Sequence, residues 1–247
     1  MFISDNDSRI VYTCDTAPIE DLPKSMYHPD LLIHETNSLS ENRKPDHSGG
    51  LEAAALAEVA FSINIVMSTN GKHSAFFCGK LHEAWLESCM YQRRNYEKPI
   101  DYRADVVVLS SGGAPKDMNL YQGFKALKNA VNCVKEGGEA IWLCKCPEGC
   151  GAPDYSSWLQ PLLEGHLDES LRKEFTIGGF IFYLTVESLG QIKCRIMSEM
   201  GNDIVQPMGA VGSYKSVEAL LEGVDFTGKT VYVMPQAGNV LPMYKKD

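Results

Sequence analysis

The run Val106-Val107-Val108-Leu109, followed at once by Ser110-Ser111-Gly112-Gly113, constrains this chain more than any other feature. Four aliphatic residues with no polar alternation read as a strand buried on both faces, which is the habit of parallel sheets. The Gly-Gly pair then supplies backbone freedom for a tight turn. Residues 120–134 continue with apolar side chains at helical spacing. A buried strand, a tight turn and a helix, in that order, are the opening of a β/α unit.

The same rhythm extends to the end of the chain. Strands are expected at 105–110, 139–144, 180–184, 191–197 and 230–233, and helices at 120–134, 167–175, near Val186 and at 216–221. Gly137-Gly138 reads as the stop that ends the first helix and turns into the next strand. The fold class is therefore α/β, a mostly parallel sheet flanked by helices, with a Rossmann-like C-terminal domain. A boundary falls near Lys98-Pro99-Ile100-Asp101 and divides a smaller, partial N-terminal α/β segment, 1–98, from the C-terminal domain, 99–247. Within the first part, residues 9–14 read as a strand, 37–50 as a polar loop and 51–59 as a helix. Residues 61–67 and 75–78 read as a hairpin about Asn70-Gly71. Residues 80–94 read as an amphipathic helix with Leu81, Trp85, Leu86, Cys89 and Met90 on one face.

Charge and patterning narrow the function classes. A net charge of −9 with no Lys/Arg stripe argues against a generic nucleic-acid partner. No apolar run approaches the roughly 20 residues of a membrane span. The first residues, Met-Phe-Ile-Ser-Asp-Asn-Asp-Ser, lack the basic start and apolar core of a signal peptide. A cytoplasmic location is the expectation, and the eight cysteines are then expected to be reduced. Cys144, Cys146 and Cys150 follow a C-x-C-x3-C spacing with no second ligand cluster, so they read as structural thiols rather than a zinc site.

Open α/β sheets bind small ligands outside the carboxyl ends of their strands, often against a helix N-terminus. Tyr121, Gln122 and Lys125 stand at that place, and their spacing allows all three to converge on one helix end. An amine can hold a carboxylate, an amide can bond a hydroxyl or carboxylate, and a phenol can donate or accept. The bland reading is a helix with one exposed lysine and a partly buried tyrosine. Gly112 and Gly113 serve the turn alone or also allow close ligand approach. Ser110 to Pro115 is not a G-x-G-x-x-G fingerprint, and Pro115 removes an N–H that a phosphate would use. Lys116-Asp117 can cap the helix or form a local ion pair, and Asp117 and Asn119 are both good N-cap types.

The run from Ser111 to Gln122, with Lys125, resembles the substrate-binding segment of the nickel-dependent lactate racemase family. Cys146-Pro147-Glu148-Gly149 with Trp158-Leu159, Glu174 to Gly179, and Val233-Met234-Pro235 through Leu241-Pro242 fit the same family. The resemblance covers the C-terminal portion and the end of the N-terminal domain. It implies an isomerase that interconverts enantiomers or epimers of a small 2-hydroxy acid. Such an inversion is achieved by removing hydride to give a flat keto acid and returning it to either face. Side chains cannot store hydride, so a cofactor must. The resemblance implies a nickel-pincer nucleotide tethered to a lysine, a histidine nickel ligand and a pair of catalytic histidines.

The family's Asp-x-Thr-Arg and Tyr-Ser-Gly-Gly-x-Lys segments do not occur in this sequence. His28 is the candidate nickel ligand by its distance before Tyr121, although Pro23 and Pro29 flank it and a loop histidine is the competing reading. His166 follows Gly165 without a visible partner. The resemblance thus leaves two expectations open. One is a racemase whose site is completed by a partner chain or a second copy. The other is a non-catalytic organic-acid-binding module or half-enzyme.

Overall fold

The computed structural model describes residues 62–68, 72–152 and 154–244, together with the backbone of five strands at 2–4, 9–14, 31–34, 36–38 and 48–49. The chain divides into two compact units, Met1–Asn95 and Tyr96–Asp247.

In the first unit, β1 (Phe2–Ser4), β2 (Arg9–Cys14) and β3 (Leu31–His34) form one small sheet, and β4 (Thr36–Ser38) pairs with β5 (Ser48–Gly49). The expected helix at 51–59 and the Asn70-Gly71 turn lie outside the described residues. The hairpin strands are present as β6 (Ser62–Met67) and β7 (His73–Gly79), paired antiparallel. Helix α1 (Leu81–Tyr96) follows and buries Ala84 and Ser88. Leu86, expected on its buried face, is exposed.

The second unit is built on five parallel strands: β9 (Ala104–Ser110), β10 (Val134–Leu143), β11 (Lys193–Met197), β12 (Gly212–Tyr214) and β13 (Val231–Met234). Their order across the sheet is β12-β11-β10-β9-β13. The chain steps outward from β9 to β12 and then returns to place β13 on the other side of β9. The strand order therefore reverses between β9 and β13, and a ligand crevice forms outside the carboxyl ends at such a reversal. A second parallel pair, β8 (Glu97–Ile100) with β14 (Leu241–Tyr244), joins the two ends of the unit.

Helix α2 (Leu120–Val131) lies against β9 and β10 because Leu120, Phe124, Leu127 and Ala130 repeat on one face and are buried. Two expectations fail here. The helix ends at Val131 with Asn132 as its C-cap, so Gly137-Gly138 is not the helix stop. Those glycines lie inside β10, at an irregularity in its pairing with β9 between Val134 and Glu139. Gly137 adopts a φ of 69° and donates its N–H to the Gln191 carbonyl at 2.9 Å.

The expected strand at 180–184 is instead the middle of α5 (Ile177–Gly190). Phe180 to Leu184 is an apolar run without alternation, and such a run does not distinguish a buried helix from a buried strand. The local cap decides: Thr176 accepts the N–H of Gly179, and Asp154 accepts the Thr176 hydroxyl. A β-carbon on Gly179 would meet the Trp158 ring at 2.4 Å, so glycine lets the helix press onto the indole. Helices α3 (Leu159–Leu163) and α4 (Leu167–Lys173) connect β10 to α5. Short α6 (Asn202–Val205) and α7 (Val217–Leu221) flank β12. The main core gathers Val107, Leu109, Leu127, Trp142, Tyr155, Phe182 and Ile196 among others. The opposite face of the sheet carries a small cluster of Val106, Ile141 and Leu220. No helix among the described residues is long and apolar enough to cross a membrane.

Candidate functional site

The turn after β9 is held by its own polar groups. Gly112 and Gly113 have φ values of 98° and 76°, a left-handed region that favours glycine. The Ser110 hydroxyl accepts the Gly112 N–H at 3.0 Å, and Ser111 donates its N–H to Leu143 across the sheet. Buried Ser111 also accepts the Trp142 indole N–H at 2.9 Å, which satisfies two polar groups inside the core. Lys116 then turns toward the strand reversal, where its Nζ donates to Asn239 Oδ1 at 2.8 Å. The expected capping or ion-pair role of Lys116-Asp117 is thus not what the geometry shows for Lys116. The cap of α2 is Asn119, extended at φ −151° and ψ 165°, whose Oδ1 accepts the Gln122 N–H at 3.0 Å.

At the N-terminal end of α2, the structure brings two of the three candidate side chains together: Lys125 Nζ donates to Gln122 Oε1 at 2.9 Å. Lys125 is exposed, so its ammonium is available to an anion. Tyr121 is half-buried and packs edge-on against Tyr155, with ring centroids 6.4 Å apart. Tyr155 in turn donates to Thr185 at 2.9 Å and meets Phe182 edge-on. Burial pushes the Tyr155 phenol well above its ordinary range, so it stays neutral and acts as a wall for Tyr121. Gly112 and Gly113 stay on the turn, and a β-carbon on Gly112 would face Lys116 and Gln236 rather than α2.

The 146–150 loop fixes that helix end in place. Leu120 and Tyr121 donate their N–H groups to the Gly149 and Cys150 carbonyls at 3.0 and 3.1 Å. Cys146 and Glu148 donate back to the Asp117 and Met118 carbonyls at 2.8 and 2.9 Å. Four backbone bonds therefore tie the Cys-Pro-Glu-Gly segment to the segment carrying the candidate residues. Two helix N-terminal N–H groups, ordinarily orphaned, are satisfied by this loop.

Sequence reasoning missed a cavity of about 400 Å³ at the carboxyl ends of β9 to β12. Ser110, Asp117, Cys144, Lys145, Glu199 and Lys215 are among its lining residues. Lys145 and Glu199 approach to 3.6 Å, and Lys215 Nζ donates to the Ser198 and Met200 carbonyls. The signal available in the sequence was position: Ser110, Cys144, Lys145 and Glu199 stand at or just past the ends of expected parallel strands, whereas β12, which brings Lys215, was not among the expected strands. Cys144 and Cys146 are both buried, with their sulfurs 3.4 Å apart. The hydrogen bond shared with Cys146, and burial, push the Cys144 thiol well above its ordinary range. Cys150 lies in the loop and its thiol is raised by burial.

His166, which showed no partner in the sequence, sits between Glu164 Oε2 at 2.6 Å and Ser170 Oγ at 2.8 Å. His28 lies outside the described residues. Among the described residues, no group of three or more His, Cys, Asp or Glu side chains is placed to hold a metal ion. The described residues therefore hold no self-contained protein metal site.

Residues 100–176 match the family model described as the lactate racemase C-terminal domain. The chain is 31% identical over 119 residues to a lactate racemase of Thermoanaerobacterium thermosaccharolyticum, covering 47% of this chain and 27% of that protein. It is 31% identical over 110 residues to a lactate racemase of Lactiplantibacillus plantarum, covering 44% and 26% respectively. Its fold resembles the lactate racemase apoprotein from Thermoanaerobacterium thermosaccharolyticum with a TM-score of 0.66 at 22% identity, over 78% of this chain and 48% of that one. A Thermotoga maritima protein gives a TM-score of 0.52 at 13% identity, over 75% and 49%. The resemblance to the lactate racemase family is thus shown, and the matches span about a quarter of the curated relatives' length.

Proposed function

From this kinship with the lactate racemases, we propose that the chain binds a small 2-hydroxy acid at the first turn of α2 and serves a lactate-racemase-like isomerase. The observation that carries the reading is the Lys125–Gln122 pair, set within the segment that matches the C-terminal domain model. Lys125 holds the carboxylate of the acid. Gln122 exchanges its bond from Lys125 for one to the ligand. Tyr121, braced by Tyr155, bonds the hydroxyl and fixes the orientation of the chiral carbon.

In this reading, the chain's own residues bind and orient the acid and do not themselves store hydride. A nickel-pincer group, if used, is held by residues other than those described or by a partner chain, and His28 remains the proposed ligand within this sequence. A partner or second copy completes the site, and the assembly works in the cytoplasm. The competing reading is an organic-acid-binding module without turnover.

The test is made on protein produced in cells able to assemble the pincer cofactor, by metal analysis and by following each enantiomer of lactate separately. Nickel with enantiomer exchange supports the isomerase. Saturable binding of either enantiomer without exchange supports the binding module. No binding and no exchange overturn the proposal.

A further inference from the structure

We propose that Cys144 and Cys146 form an oxidisable dithiol, a modification site in which a peroxide converts the pair into an intramolecular disulfide. Geometry carries this site, whatever function α2 serves. The two sulfurs are already 3.4 Å apart, and a disulfide needs about 2.05 Å, so a small rotation of each side chain closes the gap. Cys144 directly follows the carboxyl end of β10 and Cys146 opens the loop beyond it. Cys146 is the one non-glycine among the described residues with a positive φ, 52°, and that turn brings its sulfur back beside its neighbour. Access comes from the cavity: Cys144 lines the space at the strand ends, which is large enough for a peroxide, and the Cys146 sulfur stands 3.4 Å behind it. Cys133 and Cys194 are also buried, but neither is in that lining.

The chemistry balances with one peroxide per pair. The Cys146 sulfur, whose thiol the hydrogen bond to Cys144 holds below its ordinary range, attacks a peroxide oxygen, the O–O bond breaks, and water leaves with the thiol proton to give a sulfenic acid. The Cys144 sulfur attacks that sulfur, the S–O bond breaks, and hydroxide leaves with the Cys144 proton as a second water. Two thiols are oxidised and one peroxide is reduced to two waters. The Cys144–Cys146 hydrogen bond gives the second sulfur the proximity that this step requires.

Closure has a consequence at α2. Cys146 begins the loop whose backbone bonds reach Asp117, Met118, Leu120 and Tyr121. The two sulfurs share an approach from 3.4 Å to about 2.05 Å, and the part taken by Cys146 falls at the root of that loop, so the first turn of the helix is expected to loosen.

The folded full-length chain is treated with limiting hydrogen peroxide, blocked with N-ethylmaleimide and digested with trypsin. Cleavage after Lys145 separates the two cysteines. The expected product is peptide 136–145 linked to 146–172, or the uncut 136–172 peptide lacking two hydrogens, with fragment ions placing the bond at Cys146. The bridge persists in Cys150→Ser and vanishes in Cys146→Ser. Amide exchange at Leu120 and Tyr121 quickens in the oxidised chain. The wild-type mapping needs no variant to fold. Maleimide on both Cys144 and Cys146 after oxidation, or a bridge to Cys150 in place of Cys146, overturns the proposal. A bridge with unchanged exchange at Leu120 and Tyr121 overturns the coupling to α2.

Discussion

Gly123 lies so close to Cys144 that a β-carbon on the glycine would stand 2.3 Å from the cysteine sulfur. This approach seats α2 on β10 and sets how near the helix end comes to the sheet. Such a β-carbon would also meet the Trp142 ring at 3.3 Å and the Ser111 hydroxyl at 3.5 Å. Gly123→Ala therefore has no empty direction to relax into. It is expected to destabilise the protein by about 1–3 kcal/mol, the usual cost of overpacking a tight core. Urea denaturation of both proteins measures this, and an unchanged midpoint would mean that the helix is free to slide.

Asn119 performs two tasks at the same helix end. Its Oδ1 accepts the Gln122 N–H, and its Nδ2 donates to Glu148 at 3.2 Å. Asn119→Ala removes both and is expected to cost about 1 kcal/mol. Asn119→Asp keeps the cap acceptor and should recover most of that loss, though it places a carboxylate beside Glu148. Thermal melts of the three proteins test the order wild type, then Asp, then Ala.

Acid should weaken the joint between β9 and β13. Asp105 accepts from Lys135 Nζ and from the Thr230 N–H, and these bonds hold its carboxyl below the ordinary value of 3.8. A carboxyl with a lowered folded pKa stabilises the protein above its unfolded pKa and loses that contribution as pH falls through the folded value. Wild type should thus lose stability relative to Asp105→Asn between the unfolded value near 3.8 and the lower folded one. Melting temperatures from pH 6 downward check this: the gap between the two proteins should narrow as pH falls below about 4. A constant gap would remove Asp105 from the acid response.

The parallel sheet was legible because Val106 to Leu109 and the Ala140-Ile141-Trp142 run are uninterrupted apolar strands between turn residues. The candidate helix end was equally legible, since Asn119 and the Gly-Gly turn are local signals. What local signals could not show was decided by tertiary contact. Phe180 to Leu184 became helix because Thr176, Asp154 and Trp158 organise its start, and two of those lie about twenty residues away. Gly137-Gly138 looked like a helix stop because the irregularity they accommodate exists only once β10 pairs with β9. The cavity was hidden for the same reason, because Cys144, Glu199 and Lys215 meet only when the strands assemble. The contact between Cys144 and Cys146 was visible as spacing, but its closeness depends on the positive φ of Cys146.

Removing the Lys125 ammonium from the N-terminal end of α2 tests the placement of the acid most directly. Isothermal titration of D- and L-lactate into the wild-type chain and into Lys125→Ala compares the affinities without requiring turnover. Loss of a charge-assisted bond to the carboxylate is expected to weaken binding by about 1.5–3 kcal/mol, or more than tenfold. Wild type should bind at least one enantiomer, and the variant should bind it more weakly while melting at the same temperature. Equal affinity in the two proteins, or no binding by wild type, would contradict the placement of the acid beside Lys125.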